Sequence, residues 1–149
     1  MIALIQRVSH AAVNVNGEDI GTIDRGILAL IGVEKNDNRQ SCKRLAERIL
    51  SYRVFPDDED KMNLSVEDIH GGLLLVPQFT LAANTDKGKR PSFSSAASPA
   101  DAIPLFEELV SNCRSLYKGH IDTGQFGADM QVRLTNDGPV TFWLQAPPK

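Results

Sequence analysis

Apolar and polar residues alternate in short runs over the first third of the chain. The apolar runs at residues 2–15, 20–23 and 27–33 are separated by polar turn residues, including Asn16-Gly17. Asn-Gly between alternating runs is a strong hairpin signal, because both residues tolerate the positive φ that a tight hairpin turn requires. The pattern predicts antiparallel β-structure over residues 2–33.

Two later segments show helical periodicity instead. The first, residues 36–55, has apolar residues every three or four positions, and Asn36, Asp37 or Asn38 is available as its N-cap. The second begins after Ser98, a suitable N-cap, with Pro99 in the first helical position. The inward-facing positions predicted for the two helices are Cys42, Leu45, Ile49 and Leu50 in the first, and Ile103, Phe106, Leu109, Val110 and Cys113 in the second.

The other segments predict loops and strands. Residues 56–72 are rich in acids and glycines, which favours a solvated loop. Residues 73–81 form a buried strand that should break at Pro77, because proline has no N–H for a central sheet. A loop follows over residues 82–97, and residues 127–146 are interpreted as two strands joined at a turn, Asn136-Asp137-Gly138-Pro139. The sum is one α+β domain over residues 1–149, with two main helices on a mostly antiparallel or mixed, barrel-like sheet and no βαβ series.

Composition agrees with a single globular domain and excludes several other classes. The chain has 149 residues, 42% of them hydrophobic and 23% charged, and no apolar run near the ~20 residues of a membrane span. The N-terminus is apolar only to Ile5, unlike a signal peptide, so a cytoplasmic protein is expected. Cys42 and Cys113 lie in helical patterns without metal-ligand or CxxC spacing, which favours free thiols over a disulfide or a zinc site.

The charge balance is 16 − 19 = −3, which counts against a protein that holds DNA or RNA by bulk electrostatics. It still allows a protein that holds only an RNA end. Basic residues cluster at residues 42–48 and in a second group comprising Lys87, Lys89 and Arg90. A solvated face is the simpler interpretation of either cluster.

Candidate catalytic residues are few. The histidines, His10, His70 and His120, lie far apart and match no nucleophile or base signature. The strand break at Pro77 frees backbone groups and can direct neighbouring side chains into a pocket, which draws attention to Gln78, Phe79 and Thr80. On residue chemistry alone, an ordinary β-branched strand residue is the simpler interpretation of Thr80.

For three further residues, a functional role and an ordinary structural role are both possible. Phe126 and Met130 flank the sequence Gly-Ala-Asp and can line an apolar cleft or belong to the core. Arg7 lies in the first predicted strand, where an inward-facing arginine needs a partner. Backbone carbonyls at an irregular turn would satisfy it.

With these residues collected, the sequence resembles the D-aminoacyl-tRNA deacylases, the D-tyrosyl-tRNA(Tyr) deacylase family, over essentially its whole length. Two motifs carry the resemblance: PQFTL at residues 77–81, where the family usually has Ser-Gln-Phe-Thr-Leu, and NDGPVT at residues 136–141, which matches Asn-x-Gly-Pro-Val-Thr. Pro77 replaces the usual serine, so a hydroxyl at that position is not required here. More weight falls on Thr80 and on the backbone near Gln78 and Phe79.

The resemblance implies a C2 homodimer that hydrolyses the ester of D-aminoacyl-tRNA, without metal or cofactor. It implies a cis Gly138-Pro139 peptide that reaches into the partner's active site, faces residues 77–80 there and rejects L-amino acids. Arg7 would orient the Gly-Pro carbonyls, with Asn136 in support. Because glycine has no side chain to reject, activity on glycyl-tRNA, as mischarged on tRNA(Ala), is also expected.

The remaining roles also follow from the resemblance. Thr80, Gln78 and Phe79 would be catalytic, with Thr80 either a nucleophile or, as we prefer, a hydrogen-bond donor. The substrate contacts would be made by Pro77, by Phe126 and Met130 beside the terminal adenosine, and by Lys87, Lys89 and Arg90 on acceptor-stem phosphates. Two alternatives stay open: an esterase or amidase acting on small D-amino acid derivatives, and a non-catalytic module that binds an RNA end.

Overall fold

The fold is built from short strands and two α-helices, seen in a computed structural model that describes residues 1–148. The strands are β1 Ile2–Val15, β2 Glu18–Ile23, β3 Gly26–Gly32, β4 Phe55–Pro56, β5 Met62–Leu64, β6 Gly72–Pro77, β7 Ile121–Thr123 and β8 Gln131–Gln145. The helices are α1 Arg39–Ser51 and α2 Pro99–Leu116, and a short 3-10 helix spans Phe79–Ala82. No helix within residues 1–148 is long and apolar enough to span a membrane.

Both helices begin where the capping residues predict. Asn38 and Ser41 form a reciprocal capping box on α1, with Ser41 N donating to Asn38 Oδ1 at 3.1 Å and Asn38 N to Ser41 Oγ at 3.2 Å. Ser98 caps α2 by accepting from the backbone N–H of Asp101 at 3.3 Å. One inward position was wrong: Ile103 is 37% exposed, and Ala102, one turn before Phe106, is buried instead.

Strand β1 organises the sheet. Its first half pairs antiparallel with β3 and its second half with β2, while β8 runs antiparallel along its other edge. β6 then joins β3, and β7 joins β6, both in parallel. These parallel pairs mean that α1 and α2 are crossover connections in two successive βαβ units, so the expectation of no βαβ series was wrong. Apolar patterns show which segments are strands, but strand direction depends on neighbours that lie 40 or more residues apart.

The two ends of the sheet approach each other. The backbone N–H of Thr22 in β2 donates to Asp122 Oδ2 in β7 at 2.8 Å, and His120 Nε2 lies 2.7 Å from the Thr22 carbonyl. These contacts nearly close the sheet into a barrel. The predicted α+β fold, with two main helices and a mixed, barrel-like sheet, is confirmed.

Both faces of the central strands are buried, which explains their nearly continuous apolar runs. Alternate residues of β3 and β6, such as Ile27 and Leu73, pack under the two helices in the larger core cluster. Their neighbours Leu28 and Leu74 point into the barrel and form a second, smaller cluster. The cluster inside the barrel reaches the end of β6 at Val76, directly before the strand break.

The polar segment at residues 56–72 is a largely exposed loop, as its composition predicts, but it also contains a short strand pair and a buried residue. β4 and β5 pair within it, and Val66 is fully buried. Its acids hold the backbone: Asp68 Oδ2 accepts from Ser65 N at 2.8 Å, and Asp57 Oδ1 accepts from Lys61 N at 3.0 Å. Composition alone does not distinguish acids that face water from acids that stabilise a turn.

Candidate active site

The strand break predicted at Pro77 is confirmed. Pro77 is the last residue of β6 and pairs with Ile31, and the backbone N–H of Gln78 makes a final bond to the Ile31 carbonyl at 2.7 Å. The chain then turns into the 3-10 helix, whose first internal bond runs from Leu81 N to the Gln78 carbonyl at 3.2 Å. The N–H groups of Phe79 and Thr80 therefore precede the first internal bond of that helix.

A cleft of about 280 Å³ opens at this break. Its other wall is the segment between β7 and β8, which Gly124 anchors by donating its N–H to the Leu75 carbonyl at 2.8 Å. Met130 Sδ accepts from the Gln125 N–H at 3.4 Å, which holds the thioether over the cleft. The lining residues include Pro77, Gln78, Phe79, Phe126, Met130 and Val132. Five of the residues selected from the sequence thus meet in one cleft.

The catalytic candidates lie at the mouth of the cleft. Gln78 is half-buried, and its side-chain Nε2 donates a hydrogen bond to Thr80 Oγ1. Thr80 is exposed and does not line the cleft directly. Phe79 is 58% exposed, and its ring lies 5.3 Å from the ring of Phe93. The Gln78 amide therefore fixes a hydroxyl beside the cleft, and Phe93 fixes the aromatic rim.

The cleft holds little acid–base chemistry. Asp129 is the one ionisable residue among its described lining residues. His10 contacts Thr135 at the exposed side of β1 and β8, and His120 contacts β2, so neither reaches the cleft. Within residues 1–148 no group of three His, Cys, Asp or Glu side chains is arranged to hold a metal ion. A nucleophile–base pair of the serine- or cysteine-hydrolase kind is absent from the described cleft.

The basic loop lies beyond Phe79. Asn84 and Ser92 close it with two backbone hydrogen bonds, at 2.7 and 2.9 Å, and Phe93 ties it to the aromatic rim. Its cations project from the tip and are all exposed: Lys87, Lys89 and Arg90. The loop therefore presents three positive charges on the Phe79 side of the cleft.

The segment around Gly138 and Pro139 is a bulge, which corrects the prediction of two strands joined at a turn. Val8 pairs with Asn136 and Gln6 with Thr141, so β8 advances five residues while β1 advances two. Three extra residues leave the ladder, and β8 continues along the same strand on either side. The Gly138-Pro139 peptide is cis, and both residues are exposed.

Two side chains hold this bulge. Arg7 Nε donates to the Asp137 carbonyl at 2.8 Å, and Arg7 Nη1 donates to the Val54 carbonyl at 2.7 Å. The Asn136 side chain accepts from the Val140 N–H at 2.6 Å and bridges the base of the bulge. Arg7 thus holds the carbonyl directly before Gly138, and its orienting effect on the Gly-Pro carbonyls stays a prediction.

The predicted site residues therefore fall into two places on one protomer. None of residues 137–140 lines the cleft. The bulge points its exposed backbone away from the body of the protein, between the anchors at Asn136 and Thr141.

The sequence patterns do not reveal a second concavity of about 630 Å³ beside the cleft. It lies between the exposed face of α2 and residues 123–126, and Phe126 lines both spaces. Arg114 and Lys118 contribute its positive charges. Their spacing of four residues was the available signal, but two exposed cations near the end of a helix are common in any soluble protein.

Comparisons with known proteins show which family the chain belongs to. The family model described as D-Tyr-tRNA(Tyr) deacylase matches residues 4–145. A D-aminoacyl-tRNA deacylase from Haemophilus influenzae (strain 86-028NP) is 62% identical over 144 residues, 97% of this chain and 99% of the relative. The solved structure of a c-Myc DNA Unwinding Element Binding Protein is 39% identical, with a TM-score of 0.94 and 99% coverage of both chains. A probable eukaryotic D-amino acid tRNA deacylase, 14% identical with a TM-score of 0.81 over 96% of this chain and 97% of that one, shares the fold. The chain belongs to the D-Tyr-tRNA(Tyr) deacylase family.

Proposed function

We propose that this protein hydrolyses the ester joining a D-aminoacyl group to the terminal ribose of tRNA, releasing the D-amino acid and free tRNA. The observation that carries the proposal is the cleft at the end of β6, where the family motif at residues 77–81 meets the wall formed by Phe126 and Met130. The terminal adenosine would lie against Phe126 and Met130, with the ester at the backbone of Phe79. Such an enzyme would act in the cytoplasm, where tRNA is charged.

The chemistry rests on positioning. Water attacks the acyl carbon, the bond from that carbon to the ribose oxygen breaks, and the proton passes to the ribose oxygen. The N–H groups of Phe79 and Thr80 are the donors proposed for the developing oxyanion, because they precede the first internal bond of the 3-10 helix. With no histidine or cysteine in the described cleft, the neighbouring ribose 2′-hydroxyl assists the water.

Thr80 acts in this account as a hydrogen-bond donor held by Gln78, not as the nucleophile. Thr80→Ala should retain measurable deacylation, with kcat reduced about ten-fold, the effect of one lost hydrogen bond worth about 1.5 kcal/mol. Thr135→Ala, which removes another exposed hydroxyl, is the matched control. A fall of Thr80→Ala to the rate of buffer alone would contradict this account and support covalent catalysis by threonine instead.

The dimer is proposed from the exposure of the bulge. Gly138 and Pro139 leave the sheet on a base held by Arg7 and Asn136, and they do not line the cleft of their own protomer. Phe142 and Trp143, further along β8, are 37% and 51% exposed on opposite faces of the strand, so a partner packed against this part of β8 would cover apolar area. A two-fold arrangement would place each bulge in the cleft of the other subunit.

Chiral selection follows from that placement. The bulge would hold the α-amino group of the substrate through backbone carbonyls, with no room where an L side chain would project. A D side chain points away from the obstruction, and glycine has no side chain to obstruct. The protein should therefore hydrolyse glycyl-tRNA as well as D-tyrosyl-tRNA.

Mixing two defective variants tests the cross-subunit site. Pro139→Ala damages the bulge, and Gln78→Ala damages the cleft. If each bulge serves the partner's cleft, a heterodimer of the two has one intact site, so random exchange restores about a quarter of wild-type activity. If bulge and cleft serve the same subunit, every site in the mixture carries a defect and no activity returns.

Substrate comparison tests the reaction class. Release of D-tyrosine from D-tyrosyl-tRNA, with little release from D-tyrosine methyl ester, supports a tRNA deacylase. Equal activity on both would favour an esterase of small D-amino acid derivatives. The scarcity of acid–base groups in the cleft favours one other candidate, a module that only binds an RNA end; binding of tRNA without turnover would identify it.

A further inference from the structure

The second concavity begins where the cleft ends. Phe126 is half-buried and lines both spaces, so its ring separates them only partly. Gly124 forms the rest of the partition, and it leaves no room for a side chain: a Cβ added there would lie 2.8 Å from Met130 Sδ and 3.3 Å from Pro77 Cδ. The partition is therefore thin, and a chain that leaves the cleft over Phe126 enters the second concavity.

The opposite wall is a polar face of α2 and the residues just after it, with two cations. Arg114 lies in the last turn of α2 and Lys118 two residues beyond its end; both are exposed, and neither forms an ion pair within residues 1–148. Lys118 Nζ donates to the backbone carbonyl of Arg114 at 3.2 Å, which holds the ammonium at the end of α2. Ser111 and Gln125 add hydrogen-bonding groups. Two unneutralised cations beside hydroxyl and amide groups suit a phosphodiester.

One carboxylate, that of Glu107, also lines the described concavity. It lies seven residues before Arg114, which is about 10 Å along a helix, so the positive charge is concentrated at the end near Lys118. The whole chain carries a net charge of −3. A local excess of positive charge on an acidic protein indicates a defined anion contact rather than general attraction to polyanions.

We propose that this concavity, formed by α2 and residues 123–126, binds the nucleotide that precedes the terminal adenosine of the tRNA. Its phosphate lies at Arg114 and Lys118, and its base packs against the face of Phe126, as bases of single-stranded RNA do on aromatic side chains. The inference rests on the proposed function, which places the terminal adenosine in the cleft. The concavity and the basic loop at Lys87 would then flank the RNA end from opposite sides.

Two substrates separate this subsite from the reaction site. D-Tyrosyl-tRNA carries the preceding nucleotide, whereas 3′-O-D-tyrosyl adenosine lacks it. The double variant Arg114→Ala/Lys118→Ala should lose about ten-fold or more in kcat/KM on the tRNA and nothing on the adenosine ester. Its plot of log kcat/KM against log salt should also flatten by about 0.7, the contribution of the one single-stranded phosphate that the two cations hold. The double variant Lys43→Ala/Arg44→Ala, on the exposed face of α1, is the matched control and should keep wild-type values on both substrates.

Wild-type kcat/KM on the tRNA in the α2 variant would overturn the proposal, and so would an equal loss on both substrates. A failure of the proposed function looks different, because the wild-type protein would then hydrolyse neither substrate. In that case the affinity for an RNA minihelix ending in CCA decides the question. A loss of about ten-fold in the α2 variant, compared with the α1 control, supports the subsite, and unchanged affinity overturns it.

Discussion

Replacing Arg7 with alanine removes both hydrogen bonds that this side chain makes between the bulge and the body of the protein. The Arg7 side chain is 13% exposed and donates to the carbonyls of Asp137 and Val54. A hydrogen bond from a charged donor contributes about 1.5–3 kcal/mol. Asp137 is exposed, so its carbonyl can bond to water in the variant, and loss of this bond costs little. Most of the cost comes from the bond to Val54, and we expect the free energy of unfolding to fall by about 3 kcal/mol in total.

For a domain of this size, that loss lowers the thermal midpoint by about 6–12 °C. The catalytic effect is separate. Without Arg7 the Asp137 carbonyl is released, the bulge loses its position, and the ratio of kcat/KM for D-tyrosyl-tRNA over L-tyrosyl-tRNA should fall about ten-fold or more. This expectation follows from the steric account of selectivity, in which the obstruction must be fixed to reject the wrong enantiomer.

Arg48→Ala is the control for this experiment. Arg48 also donates to a β8 carbonyl, that of Gln145 at 2.9 Å, but at an exposed site beyond the bulge. Its loss should cost about 1 kcal/mol or less and leave the D/L ratio unchanged. Thermal unfolding followed by circular dichroism and deacylation of both enantiomers measure the two effects. If Arg7→Ala unfolds at the same temperature as Arg48→Ala and keeps the wild-type D/L ratio of kcat/KM, Arg7 does not hold the bulge.

Three further predictions concern the core, the cleft and one helix cap. Asn38→Ala removes the side-chain half of the capping box and should cost about 1 kcal/mol in a urea titration, with activity retained. Gly124→Ala should push Met130 Sδ into the cleft and raise KM several-fold without changing kcat; an unchanged KM would remove Met130 from the substrate wall. Burial raises the pKa of the Cys42 thiol to about 11 and of the Cys113 thiol to about 12. In the unfolded chain the thiols ionise at lower pH, so the free energy of unfolding should fall as the pH rises above about 9. A thiol reagent at pH 8 should label neither cysteine until the protein is unfolded.

Local signals predicted the elements of the fold well because the residues that start and stop them act within a few positions. Asn38, Ser98 and the Asn16-Gly17 turn are examples. Pro77 ends its strand because its ring fixes φ and leaves no N–H for the sheet. The parallel pairing of β3 with β6 was missed because register and direction depend on distant partners. Val66 was missed because its burial is set by the chain folded around it, within an acidic segment.

In the candidate site, too, local features could be predicted from the sequence and features that depend on distant residues could not. The break at Pro77 indicated a pocket, and the structure places Gln78 and Phe126 in one. The bulge at Gly138 has the sequence of a simple turn, and only the register against β1 shows that three residues leave the ladder. The role proposed for Arg114 could not be predicted from the sequence, because only the structure shows that this exposed helical residue lines a concavity next to the cleft.

Deacylation of D-tyrosyl-tRNA against L-tyrosyl-tRNA by the purified wild-type protein tests the central claim most directly. Both substrates are prepared on the same tRNA, and release of the amino acid is followed with time against a buffer control. The account predicts rapid release of D-tyrosine at protein concentrations that leave L-tyrosyl-tRNA at the buffer rate. Equal rates for the two enantiomers, or no release of D-tyrosine above buffer, would contradict it.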